Sequence, residues 1–295
     1  MILVTGGTGF IGRALVRQLV TMGKPTRILL RPSKSSPSLP RGIPVEVAVA
    51  SLQDERGIRA AMKGVQAVYH LAGAERASSR ADFNSVDIEG TQSVAKAAAD
   101  AGVERLVFLS HLGADKESAY TVLKAKGLAE NAILQSRVPY TVLRTAPVYG
   151  PGDQFTVGLL KILKSSPGIF LLPGDGTSRI QPLWLDDLIT CLTMVLGDVE
   201  SENQTYEIGG PEALTFREVM ETIMSVTGIQ RMLLPIAHVP LGRIALFLEQ
   251  MGQFPLPLYW LEYLVVDHLC PADFLPRRFN ILPARFHQKL GYLKS

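Results

Sequence analysis

Three residues near the middle of the chain, Ser110, Tyr120 and Lys124, have types and a spacing suited to moving a proton beside a redox cofactor. Free tyrosine has a pKa near 10 and carries protons poorly at neutral pH. A nearby ammonium favours the phenolate and lowers that pKa. The spacing places Tyr120 and Lys124 four apart on a helix predicted over 120–135, so both project from one face. Such a tyrosine gives a proton to a carbonyl, or takes one from an alcohol, as hydride moves. Ser110 ends a strand predicted over 105–109, and its hydroxyl would hold the same oxygen. The alternative for the Tyr–Lys pair is a solvated helix face.

These residues need a frame that presents a cofactor to them, and the first dozen residues predict one. Ile2-Leu3-Val4 is a short apolar run and reads as a buried parallel strand. Thr5-Gly6-Gly7-Thr8-Gly9-Phe10-Ile11-Gly12 follows, with Gly6, Gly9 and Gly12 three apart. Leu15, Val16, Leu19 and Val20 then repeat at helical spacing. A strand, a glycine turn and a helix N-terminus form a cradle for a dinucleotide pyrophosphate. The alternative is a tight turn that holds nothing.

The next strand, 26–30, leads into Arg31-Pro32-Ser33-Lys34. An acidic residue there would accept from a ribose 2′-hydroxyl, whereas an arginine suits a 2′-phosphate. No Asp or Glu is present, and Arg31 and Lys34 supply two cations. This favours NADP(H) as cofactor, with NAD(H) as the other choice. The alternative is a solvated basic loop. Further strands are predicted over 45–50, 67–73 and 140–143, with helices over 56–63 and 86–101. His70 reads as a packed core histidine. Leu71, Ala72 and Gly73 fall where a strand's carboxyl end meets the cofactor. Strands alternating with helices predict an α/β fold, a Rossmann-type doubly wound parallel sheet.

After Arg144 the alternation breaks, and a smaller C-terminal lobe is expected. We place the nucleotide-binding domain over 1–150, a substrate-covering lobe over 151–295, and a return to the first domain over 180–210. Thr215 with Glu218 reads as a capping box before a helix over 215–227. Residues 229–295 are apolar and proline-punctuated, with helices expected over 240–251 and 258–268. Phe155, Trp184, Phe247, Phe254, Tyr259, Trp260 and Tyr263 are expected to wall a cleft near Tyr120. The alternatives are an ordinary core, or contact with a protein complex or a membrane surface.

Composition limits the partners. The chain is 47% hydrophobic and 19% charged, with a net charge of +3, too small to imply nucleic acid. Cys191 and Cys270 have no metal spacing and form no disulfide framework, which suits a reducing compartment. With an apolar strand starting at Ile2, a signal peptide is not expected. No transmembrane segment is expected either. A cytoplasmic location follows as the expectation.

The chain resembles the short-chain dehydrogenase/reductase superfamily in its extended and atypical branches. The resemblance rests on the glycine motif, His70-Leu71-Ala72-Gly73, Tyr120-x-x-x-Lys124 and Arg144-Thr145-Ala146-Pro147-Val148-Tyr149-Gly150-Pro151-Gly152. Gln181-Pro182-Leu183-Trp184-Leu185-Asp186-Asp187 and Tyr206-Glu207-Ile208-Gly209-Gly210-Pro211 continue it. Within the superfamily it is similar to the NADPH-binding accessory subunit of respiratory complex I and its bacterial relatives. The similarity implies a bound NADP(H), held by residues 5–12, Arg31, Lys34, Leu71, Ala72, Gly73 and Pro147. It implies Tyr120 as acid/base, Lys124 on the nicotinamide ribose and Ser110 orienting an unidentified small-molecule substrate. Asp87 and Ser51 depart from the family pattern, standing where many members carry asparagine and an acidic residue. Two functions follow: an oxidoreductase or epimerase/dehydratase, or a nucleotide-binding assembly factor, complex subunit or redox sensor.

Overall fold

The computed structural model describes residues 1–33, 42–74, 82–250, 259–264 and 266–294. Lys34, most of the 35–44 loop and Phe254 lie outside the described residues. The chain divides into two compact units, one of Met1–Arg144 with Leu188–Tyr206, the other of Thr145–Asp187 with Glu207–Ser295.

The first unit is organised by a seven-stranded parallel sheet of Rossmann type. Its strands are β1 (Ile2–Thr5), β2 (Thr26–Leu30), β3 (Glu46–Val49), β4 (Ala67–His70), β5 (Arg105–His111), β6 (Tyr140–Thr145) and, late in the chain, β11 (Gln204–Ile208). Their spatial order is β11-β6-β5-β4-β1-β2-β3. Strands run outward from β1 in opposite directions, so the order reverses between β1 and β4. Ligands in such sheets bind outside the carboxyl ends at that reversal. β1 pairs in register with both neighbours, Thr5 opposite Leu29 on one side and His70 on the other.

Apolar runs explain the central strands, since Leu3, Val4, Val68, Leu106 and Val107 are wholly buried. Helix α1 (Phe10–Thr21) turns Leu15, Val16 and Leu19 inward, a stripe at helical spacing. Helix α2 (Glu55–Ala61) starts at Asp54, whose carboxylate accepts from Gly57 N. A π-helical stretch, Phe83–Glu89, runs directly into helix α3 (Gly90–Asp100). Helix α4 (Thr121–Gln135) precedes β6.

Two boundaries differ from expectation and both bear on the site. β5 continues to His111, so Ser110 lies inside the strand rather than at its end. Helix α4 begins at Thr121, because Tyr120 is extended at φ −87°, ψ 128°. Side chains hold the preceding loop out of the helix: Asp115 accepts from Glu117 N and Ser118 Oγ from Tyr120 N.

The second unit carries three small two-stranded pairings. β7 (Val148–Tyr149) runs parallel to β10 (Leu183–Trp184), and β9 (Arg179–Ile180) antiparallel to β12 (Leu214–Thr215). β8 (Ile169–Pro173) runs parallel to β13 (Met232–Ile236), a strand the proline-punctuated sequence did not predict. Pro235 fits there because a strand with a single partner has an edge on which no N–H is needed. The helices of this unit include α5 (Phe155–Ser165), α7 (Phe216–Thr227) and α8 (His238–Gln250), with α6 (Leu185–Gly197) spanning the boundary. The capping box at Thr215 forms, with Glu218 accepting from Thr215 N and Thr215 Oγ1 from Glu218 N. The helix expected over 258–268 is only α9 (Tyr259–Tyr263); His268 instead bridges to Ile180. Among the described residues no helix is long and apolar enough to cross a membrane.

Candidate functional site

The site is built at the carboxyl ends of β1 and β4. Gly6 has φ +71°, open to glycine at no steric cost. A Cβ there would also stand 2.7 Å from the Leu71 carbonyl and from Ala72 N, so the chain crosses the end of β4 in close contact. Gly9 N donates to Gly6 O at 2.9 Å and closes the turn. A Cβ on Gly12 would run into the Gly6 carbonyl, so α1 approaches the loop more closely than any side chain allows. Gly9 caps α1 without a side-chain hydrogen bond, and the first turn holds no acidic residue. Thr8, Gly9, Phe10 and Ile11 stay partly exposed around these amides, while Gly7 and Gly12 are buried. This is a cradle shaped for an anion: backbone N–H groups, a helix dipole and no carboxylate in the helix's own first turn.

The rim of the cradle is partly visible. Arg31 follows β2 directly and is exposed, as is Ser33. Leu71, Ala72 and Gly73 follow β4 and are half-buried. Ala72 N donates to Thr5 Oγ1 at 3.3 Å, and Leu71 N to Thr5 O at 3.2 Å. Pro147 belongs to the second unit, where it is buried and its carbonyl accepts from Leu183 N at 2.9 Å.

The predicted proton-handling residues occupy three different environments. Tyr120 is half-buried at the N-cap of α4, and its carbonyl accepts from Lys124 N at 2.9 Å. Lys124 is exposed. Ser110 is buried, and its hydroxyl donates to Glu130 Oε1 at 2.5 Å. Arg144 clamps the same carboxylate, Nη2 to Oε2 at 2.7 Å and Nε to Oε1 at 3.0 Å. The Ser110 proton therefore points into an internal ion pair.

The buried ammonium of α4 is Lys126, two residues beyond Lys124. Its Nζ meets Asp87 Oδ1, and the other Asp87 oxygen accepts from Ala74 N at 2.8 Å. Lys126 also lies 5.6 Å from the Phe108 ring centroid, and Phe108 stacks on His70. His70 is wholly buried; burial first and the Lys126 charge second push its pKa down to about 3. The ring is therefore neutral across the physiological range.

Sequence reasoning passed over Lys126, Glu130 and the fixed partner of Asp87. A signal for the first two was present: Val122, Leu123, Ala129 and Ile133 make an apolar stripe on which Lys126 and Glu130 also fall. A charged residue on a buried stripe needs a partner. Nothing local in the sequence identifies Asp87 as that partner. Among the described residues no cluster of His, Cys, Asp or Glu is arranged to hold a metal ion.

Comparison with known proteins agrees with this geometry. Residues 6–158 match a family described as NAD(P)H-binding. The ceramide reductase of Caulobacter vibrioides is 31% identical over 233 residues, covering 77% of this chain and 71% of that protein. Subunit 9 of the mitochondrial NADH dehydrogenase [ubiquinone] 1 alpha subcomplex of Arabidopsis thaliana is 31% identical over 227 residues. That match covers 74% of this chain but only 56% of the plant protein, so the chain spans little more than half its length. UDP-glucose 4-epimerase of Thermus thermophilus, solved in complex with NAD, shares the fold at a TM-score of 0.74. It is 20% identical, with 99% of this chain and 97% of that chain covered.

Proposed function

The chain belongs to the NAD(P)H-binding family, in an extended short-chain dehydrogenase/reductase-like branch, and from that premise we propose that it is an oxidoreductase using NADP(H) in preference to NAD(H). Its substrate in this reading is a carbonyl or secondary alcohol on a lipid-like molecule. The observation that carries the reading is the cradle, where Gly6 and Gly12 clear the backbone and the N-terminus of α1 carries no side-chain cap. Exposed Arg31 at the end of β2 supports the 2′-phosphate. The lipid-like substrate rests on the likeness to a ceramide reductase.

When bound, the nicotinamide supplies or accepts the hydride. The residues of this chain handle the proton and the orientation. Tyr120 gives its phenolic proton to the substrate oxygen in reduction and takes it back in oxidation. Lys124, exposed one turn along, reaches the nicotinamide ribose. Lys126, fixed by Asp87, keeps the end of β4 in place from beneath. Ser110 gives its proton to Glu130 and so has none to offer a substrate carbonyl oxygen, which leaves that oxygen to Tyr120.

That last contact also favours a second reading, in which the nucleotide is held without turnover, as an assembly factor or complex subunit would hold it. The hydroxyl of Ser110 and the ammonium of Lys126 are both engaged by internal carboxylates. One experiment separates the two. Calorimetry with NADPH and NADH is followed by a turnover assay on short- and long-chain ketones. Binding with turnover supports the oxidoreductase; tight binding with no turnover on any ketone supports the second reading; no binding of either nucleotide removes both.

A further inference from the structure

Beneath the cradle a buried polar chain connects three elements. His70 Nδ1 lies 2.6 Å from Thr5 Oγ1, and His70 Nε2 lies 2.9 Å from Thr91 Oγ1. Thr5 is the last residue of β1, His70 the last of β4, and Thr91 sits in the first turn of α3. All three side chains are at most 1% exposed. A neutral imidazole has one donor and one acceptor nitrogen, so it bridges two hydroxyls in either tautomer. An ordinary core position would be filled more cheaply by an apolar residue, because burying hydroxyls and an imidazole costs desolvation that only their hydrogen bonds offset.

The far end of the chain is what connects it to ligand. Thr5 Oγ1 is also the acceptor for Ala72 N, and Leu71–Ala72 is the peptide that lies against Gly6. If the Thr5 side chain rotates, that N–H loses its partner at the wall of the cradle. We infer that His70 is a positioning residue of the nucleotide site: by bridging Thr91 to Thr5 it fixes the hydroxyl that holds the Leu71–Ala72 peptide against the glycine turn. Phe108 stacks on the ring with centroids 5.6 Å apart and 22° between planes, which sets the plane in which the two nitrogens point. This inference rests on the cradle receiving the nucleotide, and it assigns His70 no contact with that nucleotide.

The test uses the full chain with three substitutions. His70→Leu removes both hydrogen bonds, Thr5→Val removes the acceptor for Ala72, and His70→Gln keeps one donor and one acceptor. Hydrogen exchange of the Ala72 amide is read without nucleotide, and dissociation constants for NADPH and NADH are read by calorimetry. In His70→Leu and Thr5→Val the exchange should accelerate about tenfold, the effect of losing one hydrogen bond of ordinary strength. Both dissociation constants should rise by a similar factor, since the altered wall serves the part common to both nucleotides. His70→Gln should restore most of each loss, and the double variant should be no worse than the worse single one. Should His70→Leu fail to fold, Thr5→Val carries the same readouts with the imidazole left in place. Unchanged Ala72 exchange, additive losses in the double variant, or a lowered melting temperature with native affinities would overturn the inference. A native protein that binds neither nucleotide would instead sink the cofactor reading, and the exchange arm would still decide whether His70 holds this peptide.

Discussion

Lys126 Nζ lies 2.9 Å from Asp87 Oδ1, with side-chain exposures of 4% and 1%. The lysine comes from α4 and the aspartate from the π-helical stretch before α3, and the second aspartate oxygen accepts from Ala74 N just past β4. One carboxylate thus joins a helix, a π-turn and the loop beside the cradle. Removing one partner strands the other charge in a site with little water.

Lys126→Met should therefore destabilise the protein by about 3–5 kcal/mol, the range for breaking a buried pair. Combining it with Asp87→Asn should cost less than the sum of the two single changes, because no lone charge remains. Lys124→Met, on the exposed side of the same helix, should change stability by less than about 0.5 kcal/mol. Urea unfolding of the four variants decides the matter. An equal effect at 124 and 126 would show that the buried pair contributes nothing special.

Stability should fall on acidification through a window that His70 sets. Its folded pKa is about 3, below the ordinary 6.5 of an unfolded chain. Between those values the unfolded state binds a proton that the folded state refuses. The contribution is present above pH 6.5 and is lost as pH falls, with a slope approaching about 1.4 kcal/mol per pH unit. Asp153 and Asp187, raised mainly by burial, act in the opposite sense. The measurement is therefore the difference between the native chain and His70→Gln, by urea midpoints from pH 7 to pH 5. Parallel pH curves for the two proteins would contradict the assignment.

Arg31→Ala should weaken NADPH by roughly 1.5–3 kcal/mol, the scale of hydrogen bonds to a charged group, and leave NADH nearly unchanged. Calorimetry on the pair reads this directly. Equal dissociation constants for the two nucleotides in the native protein would remove the preference for NADP(H).

Tyr120→Phe keeps the ring and takes away only the transferable proton. Tyr120 caps α4 through its backbone and makes no side-chain capping bond, so the helix start should survive the change. Turnover on a responsive ketone should drop by about 10²–10⁴, the range for general acid–base catalysis, with NADPH affinity barely altered. Full turnover in this variant would take Tyr120 out of the chemistry.

The nucleotide cradle was legible because its signals are local. Apolar runs mark β1, β4 and β5, and glycines mark the positions where backbone must touch backbone, as Gly6 and Gly12 do. The capping box at Thr215 and Glu218 was legible for the same reason. The surroundings of the predicted proton-handling residues were less so. A helix start moved by one residue leaves the Tyr120–Lys124 spacing intact while changing what each side chain faces, and that start depended on Ser118 and Asp115 capturing the loop. The partners of Ser110, Lys126 and His70 come from distant stretches, Glu130, Asp87 and Thr91, and only the folded chain brings them together. Strand β13 was hidden because its alternation is broken by Pro235.

The position of β11 has a consequence for how the molecule is made. β6 is complete at Thr145, yet the strand that covers its outer edge begins only at Gln204. A ribosome adding about 5–20 residues per second leaves that row of N–H and C=O groups unpaired for several seconds. An open edge is a template for strands of other chains. A nascent chain arrested between these two strands is thus a species that a chaperone must shield, and a fragment ending near residue 150 should yield aggregate where the 295-residue chain yields a folded protein.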